Sequence, residues 1–392
     1  MPDLSIYNQQ QVLRYYDELS NSEKELLNEQ IKKIDFDFMN KLYKNSYFDE
    51  EIDVSKITPL KIIDSKTDED NSKIGEELIK NNNYAVVLMA GGFGSRLGLE
   101  IPKGCLTLNI NNKKVSLFES FINQLKKANE KFDVTINLYI MTGKNNNFDT
   151  IKFFNDNNYF NYPKDKIKIF VQDELPILDT NGKILLKSKD EILFGPNGNG
   201  DIFAALKRNN LIDDMKKNNI KYVLFSSIDN ALNNIVDYNF IGTTIKNNYQ
   251  LSTKTITKEN EDDKGWIFCK YNNKPFMLPT NYITNDITNY QIDNKYVYRE
   301  KNITYHLISI DYIEKFSNIK LKYHRAYKKN CCLDQNGNII EPTSPNTFKF
   351  EKFIFDAFEY SDDMLLYRVG KDEFCPIKVV EDIKKVEQYL NN

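Results

Sequence analysis

Short apolar runs separated by polar stretches dominate the middle of the chain. Residues 84–90 form such a run and end at a pair of glycines, and similar runs occupy residues 134–141, 167–172 and 222–226. Short apolar runs bounded by turn residues are typical of strands buried in a parallel sheet. Residues 116–130 have the pattern of a helix between two of these strands. Alternating strands and helices predict an α/β fold, with a mostly parallel central sheet flanked by helices.

The region before this sheet has a different pattern. Residues 9–46 carry apolar positions at helical spacing, with a break near Ser20, and Ser20 and Glu23 have the spacing of a capping box. Residues 49–75 are polar and mixed, which indicates a linker. We therefore expect a small N-terminal helical segment and linker over residues 1–75.

The region after the fourth run indicates that the sheet is mixed. Residues 250–308 are rich in Thr, Tyr and Ile in short runs bounded by turns, which predicts extra, partly antiparallel strands. Asn181-Gly182, between two apolar runs, predicts a hairpin. The central domain is predicted to cover residues 76–330, and a small α+β part to cover residues 331–392. That last part is expected to contain a turn at 334–337, a helix at 350–358, a strand at 364–369 and a closing helix at 380–390.

Composition excludes several classes of protein. The formal net charge is −3, and this near balance argues against duplex DNA or an anionic membrane as a partner. The five cysteines include no CxxC pair, and only two histidines are present, which argues against disulfides and a structural zinc site. No signal peptide and no apolar stretch of about 18 residues are found, so we expect a cytoplasmic protein.

The glycine pair opens a loop with candidate chemistry. Residues 91–98 read GGFGSRLG, and backbone N–H groups in such a loop can hold a phosphate or the edge of a base. Arg96 in the loop and Lys103 just after it could stabilise negative charge during transfer between phosphates. A plain structural turn is the alternative. The GGxGxRxG spacing differs from GxGxxG, which argues against a dinucleotide-dependent oxidoreductase, and from the GxxxxGK[ST] loop.

These residues carry a resemblance to a known family. The strand, the GGFGSRLG loop and the Pro-Lys-Gly at 102–104 together resemble the UDP-sugar pyrophosphorylases of eukaryotic type. Matching motifs also occur at residues 195–200, 228–230, 349–356 and 373–378, so the resemblance covers most of the chain. It is strongest to the UDP-N-acetylglucosamine pyrophosphorylases. The resemblance implies a nucleotidyltransferase-like, Rossmann-like central domain.

The resemblance implies a uridine site built largely from backbone. Backbone groups of Ala90, Gly91 and Gly92 would hold the uridine. Gln172 and Gly198 would read the edge of the uracil. UTP would accordingly be one substrate.

The resemblance also implies contacts to the second substrate, a sugar 1-phosphate. Asn199 and Asn302 would hydrogen-bond the sugar, and Gly265 would lie close to it. Three further residues would close on the phosphates and the sugar from the C-terminal part: Lys349, Phe353 and Lys378.

Three residues are implied to serve the chemistry itself. Arg96 and Lys103 would stabilise the transferring phosphate as the catalytic residues. Asp229 follows a predicted strand and is the candidate ligand for Mg²⁺, which prefers carboxylate and phosphate oxygens. A cap on the next helix is the alternative role for Asp229.

The identity of the sugar is predicted from two opposing features. Family members that act on N-acetylhexosamine carry a glutamate that contacts the sugar after the Gly265 region, whereas residues 276–282 contain no acidic residue. The short tail after Lys378 lacks the long β-helix domain typical of the glucose enzymes. We expect a uridylyltransferase that makes UDP-N-acetylglucosamine, acting as a monomer. A glucose 1-phosphate or broad-range uridylyltransferase is one alternative, and an inactive UDP-sugar-binding protein is another.

Overall fold

The computed structural model describes residues 2–44, 51–93, 97–98, 101–259 and 265–391. The α-helices of these residues are α1 (Asn21–Lys32), α2 (Phe36–Lys44), α3 (Glu69–Lys80), α4 (Leu117–Phe132), α5 (Asn147–Asp156), α6 (Ile202–Arg208), α7 (Leu211–Lys217), α8 (Tyr238–Lys246), α9 (Asn285–Thr288), α10 (Ile310–Ser317) and α11 (Val380–Asn391). None of them is both long enough and apolar enough to span a membrane.

The strands of the described residues are β1 (Ile57–Thr58), β2 (Lys61–Asp64), β3 (Tyr84–Met89), β4 (Thr107–Ile110), β5 (Lys113–Ser116), β6 (Asn137–Thr142), β7 (Ile167–Val171), β8 (Glu174–Pro176), β9 (Leu178–Asp179), β10 (Leu186–Ser188), β11 (Glu191–Ile192), β12 (Phe194–Pro196), β13 (Tyr222–Ser227), β14 (Leu251–Thr257), β15 (Ile267–Tyr271), β16 (Lys274–Leu278), β17 (Gln291–Ile292), β18 (Lys295–Tyr296), β19 (Glu300–Ser309), β20 (His324–Lys328), β21 (Cys332–Leu333), β22 (Ile339–Ile340), β23 (Thr347–Glu351) and β24 (Leu365–Arg368).

These elements form two compact units, each built from three separate stretches of chain. The smaller unit comprises Met1–Glu51, Asp173–Asp201 and Lys320–Ile354, and the larger unit comprises Ile52–Gln172, Ile202–Ile319 and Phe355–Asn392. The three consecutive parts expected from the sequence do not coincide with these units, because each unit takes chain from all three parts.

The larger unit contains the predicted sheet. Among the described residues it has eleven strands, and its main path runs β2-β24-β14-β19-β13-β3-β6-β7. Strand β19 is antiparallel to both of its neighbours, and all the other neighbouring pairs on this path are parallel. Strands β15 and β16 add an antiparallel hairpin beside β19. The expectation of a mixed, mostly parallel sheet flanked by helices is confirmed.

The main core lies where helices cover this sheet. All six residues of β3 are buried, which explains the uninterrupted apolar run in the sequence. Helix α4 supplies one apolar face through Phe118, Phe121 and Leu125, and Phe118 packs edge-on against Phe154 of α5 with ring centroids 5.0 Å apart. Burying each such side chain stabilises the fold by about 1.5–3 kcal/mol.

The smaller unit has its own core and its own short strands. Helices α1 and α2 pack their apolar faces against residues of the 173–201 and 320–354 stretches, and β20, β23 and β9 form an antiparallel sheet. The capping box of α1 is confirmed, because Ser20 Oγ accepts from the Glu23 backbone N–H and Glu23 Oε2 accepts from the Ser20 N–H. The Asn181-Gly182 hairpin is also confirmed, since Asp179 N–H donates to the Lys183 carbonyl.

Two sequence-based expectations are wrong. The linker predicted at 49–75 contains strands β1 and β2 and the start of α3, and β2 pairs in parallel with β24. The helix predicted at 350–358 is replaced by β23, Thr347–Glu351, and a 3₁₀ segment at Ile354–Tyr360. Pairing with strands distant in the sequence explains β2 and β23, and local patterning cannot reveal such pairing. The predicted strand at 364–369 and the closing helix at 380–390 are confirmed as β24 and α11.

Candidate functional site

The glycine loop begins at the carboxyl end of β3 and is held by buried hydrogen bonds. Ala90 N–H donates to the carbonyl of Met141, 2.7 Å away, which continues the pairing of β3 with β6. Asn146, fully buried, donates from Nδ2 to the carbonyls of Ala90 at 3.0 Å and Gly92 at 3.2 Å. Its Oδ1 accepts from the Gly143 N–H at 2.8 Å. Asn146 therefore fixes the backbone at Ala90 and Gly92, two of the residues expected to hold the uridine.

The importance of Asn146 was missed in the sequence. The run of asparagines at 145–147 has the composition of an ordinary loop. Its position just after β6 could have indicated a functional role. Strand β6 is the parallel neighbour of β3, so the carboxyl ends of both strands lie at one edge of the sheet, where ligands bind.

Gly91 and Gln172 are packed closely together. A Cβ added to Gly91 would lie 2.0 Å from Gln172 Nε2, so no larger residue fits without moving Gln172. Gln172 follows β7 and is buried, and its backbone N–H donates to the Thr142 carbonyl at 2.9 Å. The structure thus brings together the glycine loop and the residue expected to read uracil.

Lys103 is attached to the same loop by its backbone. Its N–H donates to the Gly92 carbonyl at 3.2 Å, and Pro102 forms an isolated bridge with Phe93. A short 3₁₀ turn, Lys103–Cys105, then leads away from the loop. Burial raises the pKa of the Cys105 thiol to about 12, which removes it as a nucleophile at neutral pH.

Lys103 forms an ion pair with Asp229. Lys103 Nζ lies 2.9 Å from Asp229 Oδ1, and the exposed fractions of the two side chains are 10% and 39%. Asp229 follows β13, which is the other parallel neighbour of β3. A mostly buried cation beside a carboxylate that still faces solvent can bind phosphate oxygens through the cation. It can also bind a metal ion through the carboxylate.

The donor set at Asp229 suits only a metal ion whose other ligands come from substrate and water. Among residues 2–44, 51–93, 97–98, 101–259 and 265–391, no group of three or more His, Cys, Asp or Glu side chains is placed to hold a metal ion. Mg²⁺ is commonly bound by one or two carboxylates together with phosphate oxygens and water. A single accessible carboxylate therefore fits Mg²⁺ in this role and does not fit a structural metal centre.

Lys378 directly follows Ile377, which forms a backbone hydrogen bond with Asp229. Ile377 N–H donates to the Asp229 carbonyl at 2.9 Å, and Lys378 follows with an exposed side chain. The structure therefore places the C-terminal segment 373–378 beside Asp229 in the larger unit. Lys378 and Asp229 are brought together through their backbones.

Gly265 lies two residues before β15, and Asn302 lies on β19, the strand with which β15 pairs. Ile267 pairs with Lys301, and a Cβ added to Gly265 would lie 3.4 Å from Lys301 Cδ. Asn302 Oδ1 accepts from the Thr304 N–H at 2.7 Å, where the β14–β19 register shifts. The two residues expected near the sugar are thus neighbours.

The remaining predicted residues belong to the smaller unit. Gly198 has φ +91°, and an added Cβ would lie 2.3 Å from the Lys352 carbonyl oxygen, so this position requires glycine. Asn199 Oδ1 accepts from the Ile354 N–H at 3.1 Å. Phe353 lies against the His324 ring with centroids 4.7 Å apart. The 195–200 loop is therefore docked on the segment that carries Phe353.

Lys349 has a partner within the smaller unit. Its Nζ lies 2.8 Å from Glu351 Oε1, and both side chains are about one-fifth exposed. The phosphate-binding role expected for Lys349 would require it to exchange this carboxylate for substrate oxygens. Arg96, which is expected to be catalytic together with Lys103, lies outside the described residues.

Comparisons with known proteins give one consistent result. A family model described as UTP–glucose-1-phosphate uridylyltransferase matches residues 23–390. The UDP-N-acetylglucosamine pyrophosphorylase of Saccharomyces cerevisiae is 33% identical over 353 residues, which cover 85% of this chain and 73% of the yeast protein. The UDP-N-acetylglucosamine diphosphorylase 2 of Arabidopsis thaliana is 30% identical, covering 96% of this chain and 78% of the plant protein.

Solved structures agree with the sequence relatives. The uridine diphosphate N-acetylglucosamine pyrophosphorylase of Trypanosoma brucei, in complex with an inhibitor, has a TM-score of 0.80 at 25% identity, covering 98% of this chain and 82% of that one. A UDP-glucose pyrophosphorylase of Leishmania major in complex with UDP-glucose has a TM-score of 0.68 at 15% identity, covering 94% and 79%. The latter likeness concerns the fold alone.

Proposed function

The chain belongs to the UTP–glucose-1-phosphate uridylyltransferase family, and we propose that it makes UDP-N-acetylglucosamine and pyrophosphate from UTP and N-acetylglucosamine 1-phosphate. The observation that carries the proposal is the Lys103–Asp229 ion pair attached to the glycine loop. The choice of sugar is supported by relatives whose names specify UDP-N-acetylglucosamine.

The reaction we propose is an in-line transfer at the α-phosphorus of UTP. A phosphate oxygen of the sugar 1-phosphate forms the new bond to this phosphorus, the bond to the β-phosphate oxygen breaks, and pyrophosphate leaves. The reacting oxygens are already ionised at neutral pH, so no protein group has to remove a proton. Catalysis then depends on positioning and on stabilising negative charge, which suits Lys103, and Arg96 as its sequence-predicted companion.

Mg²⁺ is part of this proposal, with Asp229 as its protein ligand. The ion would neutralise charge on the phosphates when bound. Lys103 Nζ lies close to Asp229 Oδ1. When the Asp229 carboxylate binds Mg²⁺ instead, Lys103 would lose this partner and turn toward the phosphates of the substrate.

The roles proposed for the other site residues rest partly on local contacts and partly on the family resemblance. The close approach of Gln172 Nε2 to Gly91 and the hold of Asn146 on the backbone of Ala90 and Gly92 support a uridine site at these residues. The pairing of β15 with β19 supports a sugar site at Gly265 and Asn302. We assign Gly198, Asn199, Lys349, Phe353 and Lys378 to substrate binding on the family resemblance.

The second candidate is the same reaction with glucose 1-phosphate. It is favoured by one feature of β16: the residues that correspond to the sugar-binding acidic segment of the N-acetylhexosamine enzymes are Phe276, Met277 and Leu278. Without a carboxylate there, hydroxyl groups of the sugar must find other acceptors. Asn281 and Thr280, both exposed just after this strand, are the nearest candidates in sequence.

The deciding experiment measures pyrophosphate release from UTP and Mg²⁺ with three acceptors: N-acetylglucosamine 1-phosphate, N-acetylgalactosamine 1-phosphate and glucose 1-phosphate. We expect the highest kcat/KM with N-acetylglucosamine 1-phosphate. A preference for glucose 1-phosphate would assign the second candidate. UDP-sugar binding with no release from any acceptor would identify an inactive binding protein and overturn the proposal.

Three properties that accompany the proposal have separate tests. We propose action in the cytoplasm, as a monomer and with Mg²⁺ as the required ion. Fractionation of cells, light scattering of the purified protein, and loss of activity with a chelator followed by recovery with Mg²⁺ test these in turn.

A further inference from the structure

We propose that Lys254 and Asn230 are positioning residues that clamp the segment 373–378 onto the Asp229 turn and so place Lys378 for the transferring phosphates. The inference rests on the proposed function for its effect on catalysis. Its structural part, the clamp, stands on contacts within the larger unit alone.

The first point of the clamp is a buried lysine. Lys254, on β14, has a side chain that is only 2% exposed, and its Nζ lies 2.6 Å from Asp237 Oδ2 and 2.5 Å from Glu373 Oε2. Burial alone would lower the pKa of Lys254, but the carboxylates of Asp237 and Glu373 outweigh burial and the pKa is raised. Lys254 is therefore an ammonium ion paired with two carboxylates, and the pair with Glu373 ties the segment 373–378 to β14.

The second point is the side-chain amide of Asn230, which is almost fully buried. Its Nδ2 donates to the Glu373 carbonyl at 2.8 Å, and its Oδ1 accepts from the Cys375 N–H at 3.0 Å. Asn230 Nδ2 also donates to Asn233 Oδ1, which fixes the orientation of the amide. One side chain thus satisfies a donor and an acceptor two residues apart on the segment.

The two points together set the register of Lys378. Beyond Cys375, an isolated bridge joins Pro376 to Asn230, and Ile377 N–H bonds the Asp229 carbonyl. Lys378 N–H then donates to Asp382 Oδ2 at 2.8 Å, at the start of α11. With its backbone fixed on both sides, the exposed Lys378 side chain has a defined origin beside Asp229, the partner of Lys103.

The alternative is that Lys254 and Asn230 only stabilise the core. The two roles differ in their effect on kcat. If Lys254 and Asn230 position Lys378, their effect on kcat requires the Lys378 side chain, whereas an effect through stability does not. A double-mutant cycle separates them, because residues that act through a common group are not additive.

The kinetic test uses Glu373→Gln, which removes the one of the two carboxylates beside Lys254 that belongs to the segment 373–378 and keeps the size of the side chain. In the wild-type background we expect kcat to fall about tenfold to a hundredfold, the scale of a small misplacement of a catalytic group. In a Lys378→Ala background the same substitution should change kcat less than about twofold. Glu381→Gln, an exposed glutamate on α11, is the matched control and should behave as wild type. Equal losses from Glu373→Gln in both backgrounds would overturn the inference.

The structural test does not depend on activity. Hydrogen exchange of the Cys375 and Ile377 amides, measured without substrate, should be about tenfold faster in Glu373→Gln than in Glu381→Gln. Asn230→Asp, which replaces the Nδ2 donor with an acceptor, gives a second variant if the first fails to fold. Unchanged exchange in both variants would contradict the clamp. If the wild-type protein releases no pyrophosphate with any acceptor, the proposed function fails while the exchange result still decides whether the clamp exists.

Discussion

Lys103 Nζ and Asp229 Oδ1 lie 2.9 Å apart although the two residues are distant in the sequence. The topology explains the pairing. Lys103 is bonded to the glycine loop at the end of β3, and Asp229 follows β13, the strand beside β3 in parallel register. Carboxyl ends of parallel neighbours lie at the same edge of a sheet, which is where ligands of open α/β folds bind. The fold thus places a cation and a carboxylate together at the carboxyl ends of two neighbouring parallel strands.

The first prediction concerns the cation of this pair. Lys103→Ala should lower kcat by about 10²–10³, the scale for losing one donor to the transition state. The measurement is the rate of pyrophosphate release at saturating UTP and sugar 1-phosphate. Lys114→Ala, an exposed lysine on β5, is the control and should retain full activity.

Arg96→Ala, at the companion position expected from the sequence, should cause a loss of similar size. Near-normal turnover in both Lys103→Ala and Arg96→Ala would exclude the glycine loop and its cations from the mechanism.

The second prediction separates two adjacent glycines. Gly91→Ala would place a Cβ 2.0 Å from Gln172 Nε2, whereas Gly92→Ala meets no atom within 4 Å. We expect Gly91→Ala to lower the free energy of unfolding by about 1–3 kcal/mol, as for overpacking in a core, and to weaken UTP binding. Gly92→Ala should leave the free energy of unfolding unchanged and still weaken UTP binding, because its methyl group would project into the space expected for the nucleotide.

Denaturant unfolding and UTP titration of the two glycine variants check this prediction. Equal stability of Gly91→Ala and Gly92→Ala would contradict the steric difference between them. Wild-type UTP affinity in both would argue against the loop as the uridine site.

The third prediction tests the role of Asn146. Asn146→Ala removes three hydrogen bonds, to the backbones of Ala90, Gly92 and Gly143, and leaves buried carbonyls without that donor. We expect a loss of about 1–3 kcal/mol in the free energy of unfolding and a raised KM for UTP. Asn145→Ala, at the exposed neighbouring position, should change neither. A wild-type KM in Asn146→Ala would show that the loop keeps its shape without this side chain.

Sequence reasoning recovered the elements whose signal is local. The buried run of β3, the capping box at Ser20 and the hairpin at Asn181-Gly182 each have a physical cause within a few residues. Lys103 and Asp229 could also be singled out as candidates, Lys103 from its place just after the glycine loop and Asp229 from its place after a buried strand, and their catalytic and metal-binding roles stay predictions. That they form an ion pair could not be predicted, since strand order in the sheet is not encoded in local pattern.

The failures have a common physical cause. Strand β2 has only two apolar residues, Ile62 and Ile63, within a polar stretch and pairs with β24, and residues 347–351 extend because they pair with β20. Asn146 looks like one member of a polar run and is buried because its amide satisfies three backbone groups. In each case a contact with a distant part of the chain overrides local propensity.

The last prediction concerns His306, which the mechanism does not use. Its ring is fully buried on β19, packs edge-on against Phe358, and has Nδ1 2.8 Å from Thr253 Oγ1. Burial lowers the pKa of His306 to about 3. The folded state therefore keeps the ring neutral while the unfolded chain takes up a proton near its ordinary pKa of about 6.5. The resulting stability is fully present above about pH 6.5 and is lost progressively as pH falls toward 3.

When the pH falls from about 7 to about 5, we expect the titration of His306 alone to lower the free energy of unfolding by about 2 kcal/mol. His306→Phe cannot titrate, so the difference between the free energies of unfolding at these two pH values should shrink by that amount. Thr253→Val, which removes the same hydrogen bond but leaves the imidazole in place, should keep the wild-type pH dependence. Denaturant unfolding of the three proteins at both pH values gives the comparison. An unchanged pH dependence in His306→Phe would mean that other groups cause the acid sensitivity, and that His306 can be protonated without unfolding.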